Sequence, residues 1–327
     1  MLATTVLSVV LVGCSTDEPP APVLAADGSI DLSGVTLHVG DQVQSVQSVL
    51  KVSGQLDELP YKVEWASFTA GPPLLEALNA KAIDLGSVGD SPPVLAQAAG
   101  IEARIVSVEE RDKANDFLLT RDGTGIRTAA DLKGKSVAVA KGSSSHGLLI
   151  GLLQQAGLSQ DDVTVRYLAP PDAQSAFAAG QVDAWAVWNP YYAVAIASAG
   201  AKVVADGTTL STGYTYTVAS TAALADPTTE AAIKDFLVRL VKARAWAAAH
   251  PDQWVPVYSQ LTNLPASVAT VTFDTSRGRA IPIDDRVIAR QQELADRFAA
   301  VRLIPSAPKV RDFFDDRFNA DVTAAQP

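Results

Sequence analysis

The chain is short of the residues on which most metal and redox chemistry rests. Its 327 residues include one cysteine, Cys14, and three histidines, His38, His146 and His250. A single cysteine excludes an internal disulfide and any multi-cysteine metal site. The histidines are too far apart in sequence to form a metal-ligand motif. No metal and no cofactor are expected. Basic runs are missing as well: 26 Lys and Arg stand against 36 Asp and Glu, net charge is −10, and no run of Lys or Arg exceeds two residues. A nucleic-acid partner needs a concentrated basic face and is not expected. The apolar stretch at the N-terminus is too short to cross a bilayer as a helix.

What is present is a composition 48% hydrophobic and 19% charged, enough for two packed lobes. The first residues, MLATTVLSVVLVGC, end in Leu11-Val12-Gly13-Cys14, the form of a bacterial lipobox. Residues 1–13 are expected to be a cleaved leader and Cys14 the lipidated residue, although no Lys or Arg precedes the apolar run. A chance Gly-Cys in an ordinary signal peptide is the alternative. STDEPPAPVLAADGS then reads as a flexible tether over 14–33.

From Val35 the chain alternates strands and helices: VTLHVGDQ, SVQSVLKVSG, YKVEWASF, GPPLLEALNA, AIDLGSV and SPPVLAQAAG. Proline at the helix starts lacks an N–H that would have no partner there in any case. IEARIVSV and DFLLTR extend the strand series, the rhythm restarts at Thr128, and the region from Pro227 reads as mainly helical. This order predicts an α/β fold with largely parallel sheets. Ala77–Asp84 and Ala176–Asp183 repeat one pattern at an offset of 99 residues, and the same offset aligns Gly89-Asp90-Ser91 with Trp188-Asn189-Pro190. Either a common α-β turn recurs, or two lobes present matching strand C-terminal edges, where ligands bind in open α/β sheets.

Ser143, Ser144, Ser145 and His146 lie between the strand SVAVAKG and the helix HGLLIGLL. A phosphate-loop reading fails because the lysine precedes the glycine. A hydrolase elbow fails because His146 replaces the second glycine. Two readings remain, plain helix capping and an anion held by the unpaired N–H groups of the helix start. Asp90 is a natural cap before Ser91-Pro92-Pro93 and, if ionised, would repel an anion. Trp188 and Tyr191-Tyr192, beside Asn189 and Pro190, suit a cleft wall or a core, and Phe68-Thr69-Ala70-Gly71 is a further strand-end loop. No arginine lies in these loops, so an anion is expected to be held by amides and hydroxyls without a charged clamp.

FTAGPPLLEALNAKAIDLGSVGDSPPVLAQAAG, ADLKGKSVAVAKGSSSHGLL and YLAPPDAQSAFAAGQVDAWAVWNPYYA, in that order, carry a resemblance. Over roughly Val35 to Arg302 the chain resembles the substrate-binding lipoproteins of bacterial ABC importers, in the aliphatic sulfonate group related to nitrate and taurine binders. The resemblance implies a two-lobed periplasmic-binding-protein-like fold (type II). The first lobe would be 34–119 with 219–327 and the second 120–218, joined by crossovers near Leu118–Arg121 and Val218–Ser220. It implies ligand contacts at Gln42, Phe68, Thr69, Gly71, Gly89, Asp90, Ser91, Ser143, Ser144, Ser145, His146, Trp188, Asn189 and Tyr191. Asp41 stands where the group commonly has an aromatic residue, and Asn189 where it commonly has Asp. An extra carboxylate at Asp41 would favour a ligand bearing an amine or hydroxyl.

The expected function is non-catalytic: a monomer on the extracytoplasmic face, anchored to the membrane through Cys14, passes a small sulfonate to ABC permease and ATPase subunits. Taurine, nitrate or another small anion is the alternative ligand. An enzyme of pyrimidine-precursor synthesis with a related fold, or a tethered sensor, is the alternative class.

Overall fold

A computed structural model describes residues 24–25 and 28–327. The expected leader, Cys14 and most of the tether lie outside them. The described part of the tether carries a small antiparallel bridge between Leu24 and Ile30, and Leu32 already packs on the core.

Eleven strands are described: β1 (Thr36–Gln42), β2 (Lys62–Phe68), β3 (Leu85–Val88), β4 (Ala103–Arg111), β5 (Asp116–Thr120), β6 (Ser136–Val139), β7 (Thr164–Tyr167), β8 (Ala184–Trp188), β9 (Lys202–Asp206), β10 (Tyr214–Ser220) and β11 (Gly278–Ile281). They form two sheets, ordered β11-β4-β10-β3-β1-β2 and β7-β6-β8-β5-β9. Each is covered on both faces. Leu37 and Val39 of β1 face helices of 45–52 and 227–262, while Val88 and Val108 face those of 71–79 and 285–300. Leu118 and Phe117 divide the smaller sheet's two faces in the same way. Two three-layer lobes result, the architecture that buries the apolar runs of a parallel sheet.

The offset of 99 residues extends well beyond the two passages that suggested it. Helices Gly71–Asn79 and Pro170–Ala178 match end to end, and β4 and β9 begin 99 residues apart. The sheets match as well: β2-β1-β3-β10-β4 in one lobe corresponds to β7-β6-β8-β5-β9 in the other. Within each series the fourth strand is antiparallel to both neighbours. It is also exchanged: β5 follows β4 in the chain yet pairs in the smaller sheet, and β10 follows β9 yet pairs in the larger.

The chain therefore passes between lobes over residues 112–115 and 207–213. Leu118–Arg121 and Val218–Ser220, where the crossovers were expected, lie on or at the end of β5 and β10. The apolar strand letters continue up to the passages, so the boundary is set by sheet pairing and not by composition. The sheets are likewise not purely parallel, and β11 interrupts the helical tail to cover the edge of β4.

The repeated aspartates brace matching positions. Asp84 Oδ2 accepts from the His38 N–H at 2.8 Å, and Asp183 Oδ2 accepts from Ser136 N–H at 2.8 Å and Ser136 Oγ at 2.7 Å. Each ties the turn before one strand to its parallel neighbour. Replacing Asp183 with Ala leaves the Ser136 donors without this acceptor, at about 1–2 kcal/mol for a partly exposed charge-assisted pair. Asp183→Ala should lower the melting temperature by a few degrees, which calorimetry can measure.

Candidate functional site

Between the lobes lies a cavity of about 590 Å³. Its floor and sides are the C-terminal strand edges, the two passages and faces of the C-terminal helices. From the first lobe come Gln42, Gly71, Gly89 and Asp90; from the second come Ser143, Ser144, Trp188 and Asn189. These eight of the expected residues are brought together.

Six others do not line the cavity. Phe68 packs on the first lobe's core and Thr69 is exposed. Ser91 is buried with Oγ donating to Asp90 Oδ1 at 3.1 Å. Ser145 is buried with Oγ donating to Asp116 Oδ1 at 2.6 Å. Tyr191 turns toward Trp185 in the second lobe's core, while Tyr192, its neighbour, lines the cavity and stacks on Phe117 with ring centroids 3.8 Å apart. His146 is buried behind the loop. Its Nδ1 accepts from the Gly142 N–H at 3.2 Å, and its Nε2 faces the Tyr167 hydroxyl at 3.5 Å. The ring fixes the loop's shape and points away from the cavity.

The helix Ser144–Gln155 is capped by Ser143, whose Oγ accepts from the His146 N–H at 3.2 Å. The N–H groups of Ser144 and Ser145 lie in the first turn of the helix, where no intrahelical acceptor exists. The loop fits closely against the first lobe. A Cβ on Gly89 would lie 2.2 Å from Ser144 Oγ, and one on Gly142, whose φ is +77°, would lie 2.9 Å from Leu95. The positive φ calls for glycine at 142, and at 89 a Cβ would force Ser144 Oγ to turn away.

Asp41 does not act as expected, whereas Asp90 holds a loop. Asp41 is buried and caps the helix Ser45–Val52, accepting from Val46 N–H, Gln47 N–H and Ser45 Oγ. Burial raises its pKa against those donors and Arg244. It does not line the cavity and offers nothing to a ligand amine. Asp90 accepts from Thr212 N–H at 2.8 Å, Thr212 Oγ1 at 3.1 Å and Ser91 Oγ. It ties the second passage to the first lobe.

Arginines line the cavity, contrary to the expectation from the loops. Arg111 ends β4, Arg244 lies on the helix Pro227–Ala249, and Arg290 on Asp285–Ala300. Arg111 donates to Thr215 Oγ1 and the Ser276 carbonyl, both at 2.8 Å, and burial lowers its pKa. Arg244 Nε forms an ion pair with Glu109 Oε2 at 3.4 Å, and this buried Nε has no hydrogen-bond partner among the described residues. Arg244 and Arg290 come from helices remote in sequence, where nothing but tertiary packing marks them. Thr272, Thr275 and Ser276 arrive the same way, on the helix Ala266–Ser276. Asn189 Nδ2 donates to Thr275 Oγ1 at 2.5 Å, a bond from one lobe to the other.

Burial above all, and Lys141 besides, push the His146 pKa down to about 4 despite Gln160. The folded state therefore refuses a proton that the unfolded chain accepts below about pH 6.5. Stability falls as pH drops from 6.5 through 4. His146→Asn keeps an acceptor for Gly142 and removes the titration. The variant should lose less melting temperature between pH 7 and pH 4 than the parent, measured by differential scanning fluorimetry.

The family model described as NMT1/THI5 like matches residues 73–254. An Escherichia coli K12 protein named as an aliphatic sulfonates-binding protein is 41% identical over 280 residues, covering 84% of this chain and 87% of that one. Among solved structures, the alkanesulfonate-binding protein SsuA from Xanthomonas axonopodis pv. citri, bound to MOPS, superposes with a TM-score of 0.78 at 35% identity, over 86% of this chain and 98% of that one. The periplasmic aliphatic sulphonate binding protein SsuA from Escherichia coli gives 0.74 at 38% identity, over 85% and 91%. With this identity sustained across both lobes and the cleft between them, the chain belongs to the aliphatic sulfonate-binding protein family, within the NMT1/THI5-like group.

Proposed function

We propose that this chain is the substrate-binding component of an ABC importer. It captures a small aliphatic sulfonate between its lobes and delivers it to permease and ATPase subunits on the extracytoplasmic side. One observation carries the reading: a helix start whose first N–H groups have no intrahelical acceptor and the Arg244 guanidinium line one interlobe cavity. Both are suited to an anion. The cavity, about 590 Å³, is larger than nitrate or sulfate fills, and the Trp188, Tyr192 and Phe117 rings give an organic tail an apolar wall. Ligand contacts are Gln42, Gly71, Gly89, Ser143, Ser144, Trp188 and Asn189, joined by Arg244. Ser91, Ser145 and His146 shape the site from behind. The lobes act as a monomeric clamp about the passages at 112–115 and 207–213.

The role is binding without turnover. The nearest Ser-His pair is unsuited to nucleophilic chemistry, because His146 Nδ1 is engaged by Gly142 and Ser145 by Asp116. The anchor is a lipid on Cys14; no helix among the described residues is long and apolar enough to cross a membrane.

A thermal-shift screen of alkanesulfonates, taurine, nitrate and sulfate tests the ligand class. A ligand at 100 times its Kd adds about 2.7 kcal/mol of stability. Alkanesulfonates should raise the melting temperature most, and Ser144→Asp should abolish that rise. A rise with nitrate or sulfate alone would replace the sulfonate assignment. Cys14→Ser should move the protein from the membrane fraction to the soluble fraction of cells; retention on membranes would refute the anchor.

A further inference from the structure

We propose that Asp116 contacts the ligand directly and that the cleft takes up its oxyanion together with one proton. The proton comes from solvent and sits on Asp116 Oδ2, from which it is donated in a hydrogen bond to the anion. The proposal rests on the reading of the cleft as an anion site.

Asp116 opens β5, lines the cavity and is 8% exposed. Its Oδ1 accepts from Ser145 Oγ at 2.6 Å, and its peptide carbonyl accepts from the Gly207 N–H at 2.9 Å. Oδ2 has no hydrogen-bond partner among the described residues, though nine-tenths of the residue is buried. Because Ser145 is the second residue of the helix Ser144–Gln155, the carboxyl group sits at the helix start that serves the anion.

The surrounding charges are few. Asp90 faces Asp116 from the start of the helix Ser91–Ala98, with its own oxygens held by Thr212 and Ser91. Arg111 stands at the end of β4, with Arg244 and Glu109 behind it. Asp112 and Lys113 lie in the passage before β5, and Asp206 ends the neighbouring β9. β8 presents uncharged Trp188 opposite Asp116, and the His146 ring is turned to Gly142.

An ionised carboxylate in this position can only accept hydrogen bonds and repels an oxyanion. A sulfonate is ionised throughout the pH range of folded proteins and has no proton to give. The carboxyl group itself must therefore be neutral when the ligand is seated. Burial first, and then Asp90, push its pKa up to about 7 against Ser145 and Arg111, so the proton is at hand near neutrality. An arriving anion pushes it higher.

The sign follows from linkage. Below pH 7 the free protein already carries the proton, and affinity does not depend on pH. Above 7 each binding event draws a proton from solvent, so Kd rises by up to roughly tenfold per pH unit until the bound-state pKa is reached.

The test is calorimetric titration of the full chain with ethanesulfonate at pH 5.5, 6.5, 7.5 and 8.5. At pH 7.5 and 8.5 it is repeated in imidazole and in Tris, whose ionisation heats differ. The expected result is Kd values that agree closely at the two lower pH values, binding roughly twentyfold weaker at pH 8.5 than at 6.5, and net proton uptake approaching one at pH 8.5. Asp116→Asn keeps an acceptor for Ser145 and is always neutral. Its Kd should be the same from pH 5.5 to 8.5, and it should take up no proton on binding. A parent whose Kd is constant from 5.5 to 8.5 with no proton uptake overturns the proposal and leaves the anion site standing. The same pH dependence in Asp116→Asn also overturns it. Ethanesulfonate that binds at no pH, to parent or variant, removes the anion-site reading and the proposal with it.

Discussion

Two strand edges must approach across the cleft closely enough to hold an ion between them, with no side chain in the way. That constraint is met where Gly89 of the first lobe lies against Ser144 of the second, and again where Gly142 and Gly147 meet Leu95, Ser91 and Phe298. A methyl group at any of these points would collide with the opposite lobe. With glycine backbone set against side chains of the opposite lobe, the helix start at Ser144 lies at the surface shared by both lobes and need not rely on its own lobe alone. The placement of Asp116, the cap at Ser143 and the bracing by His146 all presuppose this close approach.

The cleft shows how a protein of net charge −10 can hold an anion. Overall charge is a long-range property and is screened within about 8–10 Å at physiological ionic strength. Inside the cavity short-range terms decide. Asp41 and Asp90 are each surrounded by three or more donors from the protein, which compensate their charge locally. Arg244 and the helix start are compensated less completely. Local donors left unfilled outweigh an acidic surface.

Much of the fold was legible because it is written in short-range patterns. Apolar runs, glycine stops and proline starts placed β1, β2 and the first three helices within two residues and β3 within three, and the 99-residue repeat pointed to two matching edges. What could not be read was pairing. Asp116–Thr120 and Tyr214–Ser220 look like any other buried strands, and only the sheets reveal that each belongs to the opposite lobe. The site divided along the same line. Ser143, Ser144, Gly89, Asp90 and Asn189 announce themselves as strand-end residues. Arg244, Thr275 and Arg290 sit in helices where cleft-facing and solvent-facing polar residues have the same letters. His146 and Tyr191 were misplaced by one or two positions of helical rotation, a distance that separates the cavity side of a helix from its packed side.

The exchange of strands also fixes an order of assembly. The smaller lobe is contiguous: every strand of its sheet, β5 to β9, lies between Asp116 and Asp206. The larger lobe is not. Its sheet has β3 and β4 flanking a gap that only β10 can fill, and β10 lies some 100 residues further along the chain. As the polypeptide is synthesised or threaded through an export channel from its N-terminus, the first four strands emerge without their central partner. The second lobe can then complete its own sheet before the first can. Until Tyr214–Ser220 arrives, β3 and β4 each keep an unpaired, apolar edge of the kind that other chains can extend.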